Sequence, residues 1–431
     1  MTTAIATPAK QTLGVAPVAA AEENSSTVFV GRQPIFDRRK NVFGYELLYR
    51  TGDKSNAFAA GTDGDAATRA VLHGSLNVVG LAELTGSKKA FVNCTKTTFV
   101  NDEYVVLPPT GSVVELLETV MPDPEILTAL KRAKDAGYVL ALDDFAFGAE
   151  YRPFLPLADI LKVDFLATTA DQRRRLTEQF SNRGKTLLLA EKVESHEMFE
   201  EAVKLGYTYF QGYFFCKPQI ISRRDIPAFK QNCLRFIQEV NSPAISFERL
   251  EEVVKRDPSL STKLLRYLNS AAFGLTNRVS SIRQALALLG EKPLRKWASL
   301  IAISELGRDK PTELMTTALV RARFCELLAS HADLRGRELD CFIMGLLSAV
   351  DAFTDQTLAE SVADIPLPAD VTAALLGGDN PIGQVYSIAL AIERGRSVRA
   401  GELMAKCGIQ FEIGSHVYRQ AIEWADQSTI S

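Results

Sequence analysis

Residues 113–142 read VVELLETVMPDPEILTALKRAKDAGYVLAL, and this stretch decides the fold class. It opens and closes with apolar runs that have the length and composition of buried strands. Between the runs, Asp123 is a suitable helix N-cap, Pro124 suits the first helical position and Gly137 suits the end of the helix. The stretch therefore predicts a strand, a helix and a second strand, which is the repeating unit of α/β folds.

The same alternation extends from Val28 to about Ile220. Runs that are apolar on both faces are typical of a parallel sheet covered by helices. The predicted strands are Asn41–Tyr49, Ala90–Cys94, Val113–Leu117, Tyr138–Leu142, Ile160–Val163, Thr186–Ala190 and Tyr207–Phe215. We predict a TIM-like (β/α) barrel over residues 28–222.

Helical periodicity replaces strand-like runs after Ile221. Asp257 and Pro258 can begin one helix, and Leu294, Trp297 and Ile301 recur on one face of another. We predict an all-α domain over residues 223–425, with a first helix near residue 227 that can bridge the two domains. The composition of residues 1–27 predicts a disordered tail.

Composition and charge exclude several classes of protein. A formal net charge of −3 and the absence of a basic, aromatic stripe argue against direct nucleic-acid binding. The sequence has no signal peptide and no apolar run long enough to span a membrane, so we expect a cytoplasmic protein without a membrane anchor. Six scattered cysteines form no CxxC pair and are expected to be reduced thiols.

Polar side chains close or interrupt the predicted strands. In a barrel these positions meet at the C-terminal mouth, where active sites form. They are Glu46, Arg50, Asn93, Glu115, Glu118, Asp143, Asp144, Lys162, Asp164, Glu191, Glu194 and Gln211. A lysine inside an apolar strand, such as Lys162, is expected to pair with a neighbouring carboxylate.

The oxygen-rich set predicts hard divalent cations. Several carboxylates at one mouth would repel one another unless cations neutralised them. Glu, Asp and Asn without His or Cys suit Mg²⁺ or Mn²⁺, and the four histidines lie too far apart in sequence for a zinc motif. The adjacent Asp143 and Asp144 could reach two ions, which is an arrangement for hydrolysing phosphodiesters, and Arg50 could hold a phosphate oxygen.

As a set, these residues resemble the EAL family of bacterial cyclic di-GMP phosphodiesterases. Its Glu-Ala-Leu-x-Arg, strand-end Asn, Glu-x-x-Glu, Asp-Asp-Phe-Gly, Lys-x-Asp, Ala-Glu-Gly-Val-Glu and Gln-Gly motifs occur here in order across most of residues 28–222. The corresponding residues are Glu46–Arg50, Asn93, Glu115 and Glu118, Asp143–Ala146, Lys162 and Asp164, Ala190–Glu194, and Gln211–Gly212. The Gln33–Pro34 pair is similar to the start of the family pattern.

The resemblance implies a role for each residue of the set. The implied metal ligands are Glu46, Asn93, Glu115, Asp143, Asp144 and Glu191. Lys162, Glu191, Gln211 and Glu118 are implied in catalysis, with Lys162 steadying the attacking water, Gln211 supporting the site and Glu118 anchoring the loop after Asp144. Gln33, Arg50 and Asp164 are implied in substrate binding.

The chain departs from the family pattern at three positions. Ala146 and Phe147 replace the Gly and Thr of the loop after Asp144, and that loop helps hold the second metal and links subunits in active relatives. Lys192 replaces a Gly beside Glu191, and its ammonium could neutralise the carboxylates without a metal. These departures favour a site that keeps its shape and has lost turnover.

The helical half resembles the HDOD family, a relative of HD phosphohydrolases without their metal-binding residues. The resemblance rests on Asp257–Leu260, Leu268–Gly274, Ile282–Ala285 and Leu289–Gly290. His331 is followed by Ala332, so there is no adjacent His-Asp doublet. The implied role of this half is a packing and interaction module for a protein partner.

Two functions follow from the combined pattern. The first is a Mg²⁺- or Mn²⁺-dependent phosphodiesterase in signal transduction that hydrolyses cyclic di-GMP to linear pGpG, with the HDOD domain as regulator or output. The second is a catalytically degenerate EAL barrel that acts as a cyclic di-GMP receptor or protein-interaction scaffold. Either function allows a homodimer.

Overall fold

The computed structural model describes residues 28–51, 81–143, 149–181, 186–218, 227–242 and 290–429. The first part of the chain forms a closed eight-stranded barrel in the order of the sequence. Its strands are β1 Val28–Phe36, β2 Val42–Thr51, β3 Lys89–Cys94, β4 Ser112–Leu116, β5 Val139–Leu142, β6 Ile160–Asp164, β7 Leu187–Glu191 and β8 Tyr209–Gln211. The predicted TIM-like barrel is confirmed.

The first strand runs against the rest of the barrel. β1 pairs antiparallel with both β2 and β8, whereas the pairs from β2 through β8 are parallel. The list of predicted strands was wrong in omitting β1, because Gly31, Arg32 and Gln33 interrupt its apolar pattern. One strand of opposite direction, β1, therefore closes the barrel wall between β2 and β8.

Helices cover the outside of the barrel. They are α1 Leu81–Thr85, α2 Lys96–Val100, α3 Pro124–Asp135, α4 Ala170–Ser181 and α5 His196–Leu205, with 3₁₀ turns at Glu103–Val106, Ala149–Phe154 and Tyr213–Cys216. The predicted cap of α3 is confirmed, since the Asp123 carboxylate accepts the backbone N–H groups of Glu125 and Ile126 at 2.9 and 3.0 Å. This helix therefore begins at the residue that the sequence predicts.

The last predicted strand is shorter than expected. Tyr207–Phe215 was predicted as one strand, but β8 ends at Gln211 and a 3₁₀ turn begins at Tyr213. Gly212 between them has φ of +146°, and a Cβ there would lie 2.1 Å from the Val193 carbonyl oxygen. The chain can therefore turn this close to Val193 only with glycine at this position.

The described residues after Pro227 form helices. These are α6 Ala228–Asn241, α7 Glu291–Leu306, α8 Thr312–Ala329, α9 Glu338–Leu347, α10 Val350–Thr354, α11 Leu358–Val362, α12 Ala369–Leu375, α13 Pro381–Glu393, α14 Ser397–Lys406 and α15 Phe411–Thr429. The Leu294, Trp297 and Ile301 stripe lies on α7. The predicted helix at Asp257–Pro258 lies outside the described residues. No described helix combines the length and the apolarity that a bilayer crossing requires.

The barrel and the helical half share one apolar core. A single cluster of buried side chains contains barrel residues such as Phe36 and Phe210 together with Trp297 and Phe324 of the helical half. The helices α13 and α15 pack against β1. A second, smaller cluster fills the barrel interior below the mouth. The side of the barrel that carries β1 and β2 is thus an inter-domain surface.

Candidate active site at the barrel mouth

Alternation along the strands places the polar residues directly above the barrel's apolar interior. The interior cluster contains Ile35, Phe91, Val113, Ala141, Ile160 and Leu189. Since residues two apart share one face of a strand, five of these positions are followed two residues later by a polar side chain on the same face. Those side chains are Asn93, Glu115, Asp143, Lys162 and Glu191. Each of these five strands, β3 to β7, therefore contributes a residue to the apolar layer and then one to the polar layer.

The ammonium of Lys162 lies at the centre of the polar layer. Its Nζ is 2.7 Å from Glu191 Oε1, 2.8 Å from Asp143 Oδ1 and 3.0 Å from Glu115 Oε2. Glu46 Oε2 is farther away, at 3.7 Å. Only 1% of the Lys162 side chain is exposed, so these contacts form away from bulk water. The expected pairing of Lys162 with a carboxylate is confirmed, and it involves several carboxylates.

Glu46 is held by a second set of contacts, which are hydrogen bonds from side-chain amides. Asn93 Nδ2 donates to Glu46 Oε1 at 3.1 Å, and Gln211 Nε2 donates to Glu46 Oε2 at 2.6 Å. Gln211 Nε2 also donates to Gln33 Oε1 at 3.0 Å. The mouth therefore joins residues of β1, β2, β3 and β8 in one network.

Burial sets the electrostatics of the cluster. It raises the pKa of Glu115 and of Glu191 well above the usual carboxyl value, although the charge of Lys162 opposes the rise. Burial alone would lower the pKa of Lys162, but Asp143, Glu115 and Glu191 together raise it well above its usual value. Lys162 is thus held as a cation among more carboxylates than one positive charge can neutralise.

Three buried acceptor atoms at the mouth have no hydrogen-bond donor among the described residues: Asn93 Oδ1, Glu115 Oε1 and Gln211 Oε1. A buried acceptor without a partner is costly, so such atoms are suited to contact with a cation or water. The oxygen donors suit Mg²⁺ or Mn²⁺ in chemistry. As placed, no three His, Cys, Asp or Glu groups of the described residues are arranged to hold a metal, because the carboxylates converge on Lys162.

Asp164 and Glu118 lie apart from the cluster. Asp164 Oδ2 accepts a salt bridge from Lys192 Nζ at 2.6 Å, and its Oδ1 accepts the backbone N–H groups of Leu166 and Ala167. Burial would raise the pKa of Asp164, but these hydrogen bonds lower it below its usual value. The Glu118 side chain is exposed. Of the predicted set, Asp144 and the side chain of Arg50 lie outside the described residues.

Lys192 pairs with one carboxylate of the predicted set, Asp164. Its ammonium bonds Asp164 at 2.6 Å, and the charge that the cluster receives at short range comes from Lys162. The backbone of Lys192 has φ of +52°, a left-handed conformation that is easiest for glycine. The family's Gly at this position therefore corresponds to a backbone requirement that this chain meets with a lysine.

Comparison with known proteins supports the same two-part architecture. A family model described as the HDOD domain matches residues 226–363. The chain is 34% identical over 378 residues to the cyclic di-GMP phosphodiesterase CdgJ of Vibrio cholerae, covering 86% of both proteins. The chain belongs to the EAL-HDOD family. The uncharacterized protein YuxH of Bacillus subtilis is also 34% identical, over 405 residues that cover 92% of this chain and 98% of YuxH.

A solved structure resembles the EAL part. The EAL domain protein from Listeria monocytogenes EGD-e aligns with a TM-score of 0.36 and 22% identity, covering 44% of this chain and 87% of that chain. All six cysteines of this EAL-HDOD protein are free in the structure.

The sequence did not reveal the contacts that fix the outer face of β1 and β2. Arg32 forms a bidentate salt bridge with Asp426, at 2.9 and 3.1 Å, and the Tyr45 hydroxyl donates to Glu313 Oε2 at 2.8 Å. These partners are hundreds of residues apart in the chain, so no local pattern predicts them. Arg32 and Tyr45 alternate with Gln33 and Glu46 along β1 and β2.

Proposed function

We propose that this EAL-HDOD protein is a Mg²⁺- or Mn²⁺-dependent phosphodiesterase that hydrolyses cyclic di-GMP to linear pGpG. The observation that carries the proposal is the convergence of Glu46, Glu115, Asp143 and Glu191 with Asn93 and Gln211 at one barrel mouth. The phosphodiesterase name of CdgJ, a relative that spans both halves of the chain, supports the same reaction. Water would break one phosphodiester bond of the ring, and the product would keep both guanosines.

The donor set and the unpartnered acceptors fit a divalent cation. Asn93 Oδ1 and Glu115 Oε1 are buried acceptors without a donor in the described part of the chain, and the carboxylates around them outnumber the single positive charge of Lys162. The residues that would hold the metal are Glu46, Asn93, Glu115, Asp143, Asp144 and Glu191. When bound, it would supply Lewis-acid stabilisation of charge on the phosphate and activation of water.

Residues of the chain itself would orient the reactants. Lys162 would hold the attacking water by hydrogen bonding, and its cationic state is maintained by the surrounding carboxylates. Gln211 would keep Glu46 in position through its 2.6 Å hydrogen bond. Gln33, Arg50 and Asp164 would contact the substrate, and Glu118 would anchor the loop after Asp144.

The proposal extends to the domains and their surroundings. We assign residues 28–222 to the EAL barrel and 223–425 to the HDOD domain, which would bind a protein partner and regulate or transmit the activity. We also place the protein in the cytoplasm of a bacterium, since its free cysteines suit a reducing compartment. A homodimer is part of the proposal.

One observation favours the second candidate, a receptor or scaffold without turnover. Lys162 contacts three carboxylates within 3.0 Å and so neutralises part of the site without any metal. A barrel of this kind could hold its shape and bind cyclic di-GMP while lacking the cation needed for hydrolysis. Binding without turnover is the result that this candidate predicts.

A direct assay distinguishes the two candidates. Purified full-length protein is incubated with cyclic di-GMP and Mg²⁺ or Mn²⁺, and the nucleotides are separated by chromatography. We expect pGpG to form and Glu46→Ala to reduce the rate by at least about a hundredfold, since this change removes a proposed ligand and the acceptor of two hydrogen bonds. Binding without pGpG would contradict the enzyme and support the receptor.

A second experiment restores family residues at two of the positions where this chain departs from the pattern. Lys192→Gly and Ala146→Gly restore the residues that the family pattern contains at these positions. If the departures limit turnover, both changes should raise the rate of an otherwise slow enzyme. An unchanged rate in both variants would show that these two departures do not limit this reaction.

A further inference from the structure

A second cavity lies between the barrel and the helical half, away from the polar layer at the mouth. This inter-domain cleft has a volume of about 1350 Å³, which is larger than most small-molecule pockets. Its barrel wall includes Arg39, Lys40 and Lys88, and its helical wall includes Arg308 and Lys310. Ligand sites often form at such domain boundaries.

The cleft concentrates positive charge in a protein that is acidic as a whole. Its lining contains seven Lys and Arg residues against four Asp and Glu residues. The complete chain has 49 Lys and Arg against 52 Asp and Glu. The excess of positive charge is therefore a local property of the residues that line this cavity.

The acidic residues of the cleft are already engaged by neighbours. Each of the four has a hydrogen-bond or salt-bridge partner in the protein: Asp309 with Lys230, Glu313 with Tyr45, Asp355 with Lys310, and Glu360 with Thr357. By contrast, Arg39, Lys40 and Lys88 form no salt bridge with any described residue. The cations without a salt bridge thus lie on the barrel wall, whereas Lys310 of the helical wall is paired with Asp355 and Arg308 with Glu305.

Lys40 is the most constrained of these cations. It lies half-buried in the β1–β2 turn with φ of +62°, and its backbone N–H donates to the Asp37 carbonyl oxygen at 3.0 Å. The Asp37 carboxylate accepts the N–H groups of Arg39 and Asn41 at 2.8 and 2.9 Å. The turn therefore fixes the backbone at Lys40, so little further ordering of the main chain is needed for binding.

Cations from both walls influence one another across the cleft. Burial lowers the pKa of Lys40 and the charge of Lys310 on the opposite wall lowers it further, while Glu200 and Asp355 oppose the decrease. Burial also lowers the pKa of His196, and Lys40 and Lys310 both add to this decrease. Charges of one sign that face each other in this way are stabilised by a bound anion.

We propose that the inter-domain cleft binds a phosphate-bearing small molecule through Lys40 of the barrel wall and Lys310 of the helical wall, whose ammonium the ligand shares with Asp355. Several cations spaced around one cavity match the several negative charges of a phosphate chain. The volume accommodates a nucleotide. Because the two lysines belong to different halves of the chain, the ligand bridges them. The proposal is independent of hydrolysis at the barrel mouth.

Isothermal titration calorimetry with full-length protein tests the site. The probes are inorganic pyrophosphate and ATP, each titrated at constant ionic strength and with EDTA, which keeps divalent cations from the barrel mouth. We expect one molar equivalent to bind, Lys40→Gln to weaken binding by about fivefold or more, and the Lys40→Gln, Lys310→Gln double variant to weaken it further.

Lys131→Gln is the matched control, since it removes one exposed positive charge from α3, which does not line the cleft. Thermal unfolding of each variant verifies folding. Lack of binding by the wild-type protein would overturn the proposal. Equal weakening by Lys131→Gln and Lys40→Gln would also overturn it, because the effect would then be one of general charge.

Discussion

At the residue scale, Lys162 decides the stability of the barrel mouth. Its ammonium is the nearest cation to three carboxylates, of which Glu115 is fully buried. We expect Lys162→Met to lower the free energy of unfolding by about 3–5 kcal/mol, since the change leaves buried carboxylates without their counter-charge. Urea unfolding at neutral pH measures the loss, and added Mn²⁺ should restore part of it in the variant.

Lys131→Met provides the control for this prediction. Lys131 is an exposed lysine of α3, so the same change there should alter the free energy of unfolding by less than about 0.5 kcal/mol. A Lys162→Met protein as stable as the wild type would show that the carboxylates do not depend on this ammonium.

The residues of the polar layer and the pairing of Lys162 with a carboxylate were predictable from the sequence, but the contacts beyond the strand ends were not. Strand alternation identifies Glu115, Lys162 and Glu191 because each lies two positions after an interior apolar residue. Beyond the end of a strand, the direction of a side chain depends on the backbone conformation of the loop. The left-handed backbone of Lys192 and its salt bridge with Asp164 follow from that loop and from no period in the sequence.

At the scale of elements, β1 and β2 connect the mouth with the helical half. Gln33 and Glu46 lie opposite each other in the register and join the polar layer, whereas their neighbours Arg32 and Tyr45 contact helices. Sequence analysis predicted β2 but omitted β1. The reason is that an arginine whose partner is distant in the chain is indistinguishable, in the sequence, from a surface residue. Asp426, the partner, lies in α15.

A double-mutant cycle tests the contact between β2 and α8. Tyr45→Phe removes the hydroxyl that donates to Glu313 at 2.8 Å, and Glu313→Gln removes the charge of the acceptor. We expect Tyr45→Phe to lower the free energy of unfolding by about 1–2 kcal/mol, and the two changes to be coupled by at least about 0.5 kcal/mol. Chemical denaturation of the four proteins measures the coupling.

Tyr104→Phe is the matched control for this cycle. The Tyr104 hydroxyl donates to Asp102 at 3.3 Å within the barrel half, so its loss should combine additively with Glu313→Gln. Additive effects for Tyr45 as well would mean that this hydrogen bond does not contribute to joining the two halves.

At the scale of the whole molecule, the two halves meet through buried charge as well as apolar packing. Glu313 at the start of α8 is buried against Tyr45, with Arg32 and Asp426 nearby. Burial raises its pKa to about 7, while Arg32 and the Tyr45 hydrogen bond oppose the rise and Asp426 adds to it. The inter-domain surface thus contains a carboxyl group that titrates near neutral pH.

The sign of the resulting pH dependence follows from the raised pKa. A group that holds its proton more tightly when folded contributes its full stability below the unfolded value near 4.5 and loses it as the pH rises through about 7. From pH 5 to pH 8, the stability of Glu313→Gln should therefore increase relative to the wild type by roughly 2–3 kcal/mol. Glutamine keeps an acceptor for Tyr45 and carries no charge, and groups shared by both proteins cancel in the difference. Denaturant titrations of both proteins at each pH measure it. A difference that stays constant with pH, or that decreases as the pH rises, would contradict the burial of an ionising Glu313 between the halves.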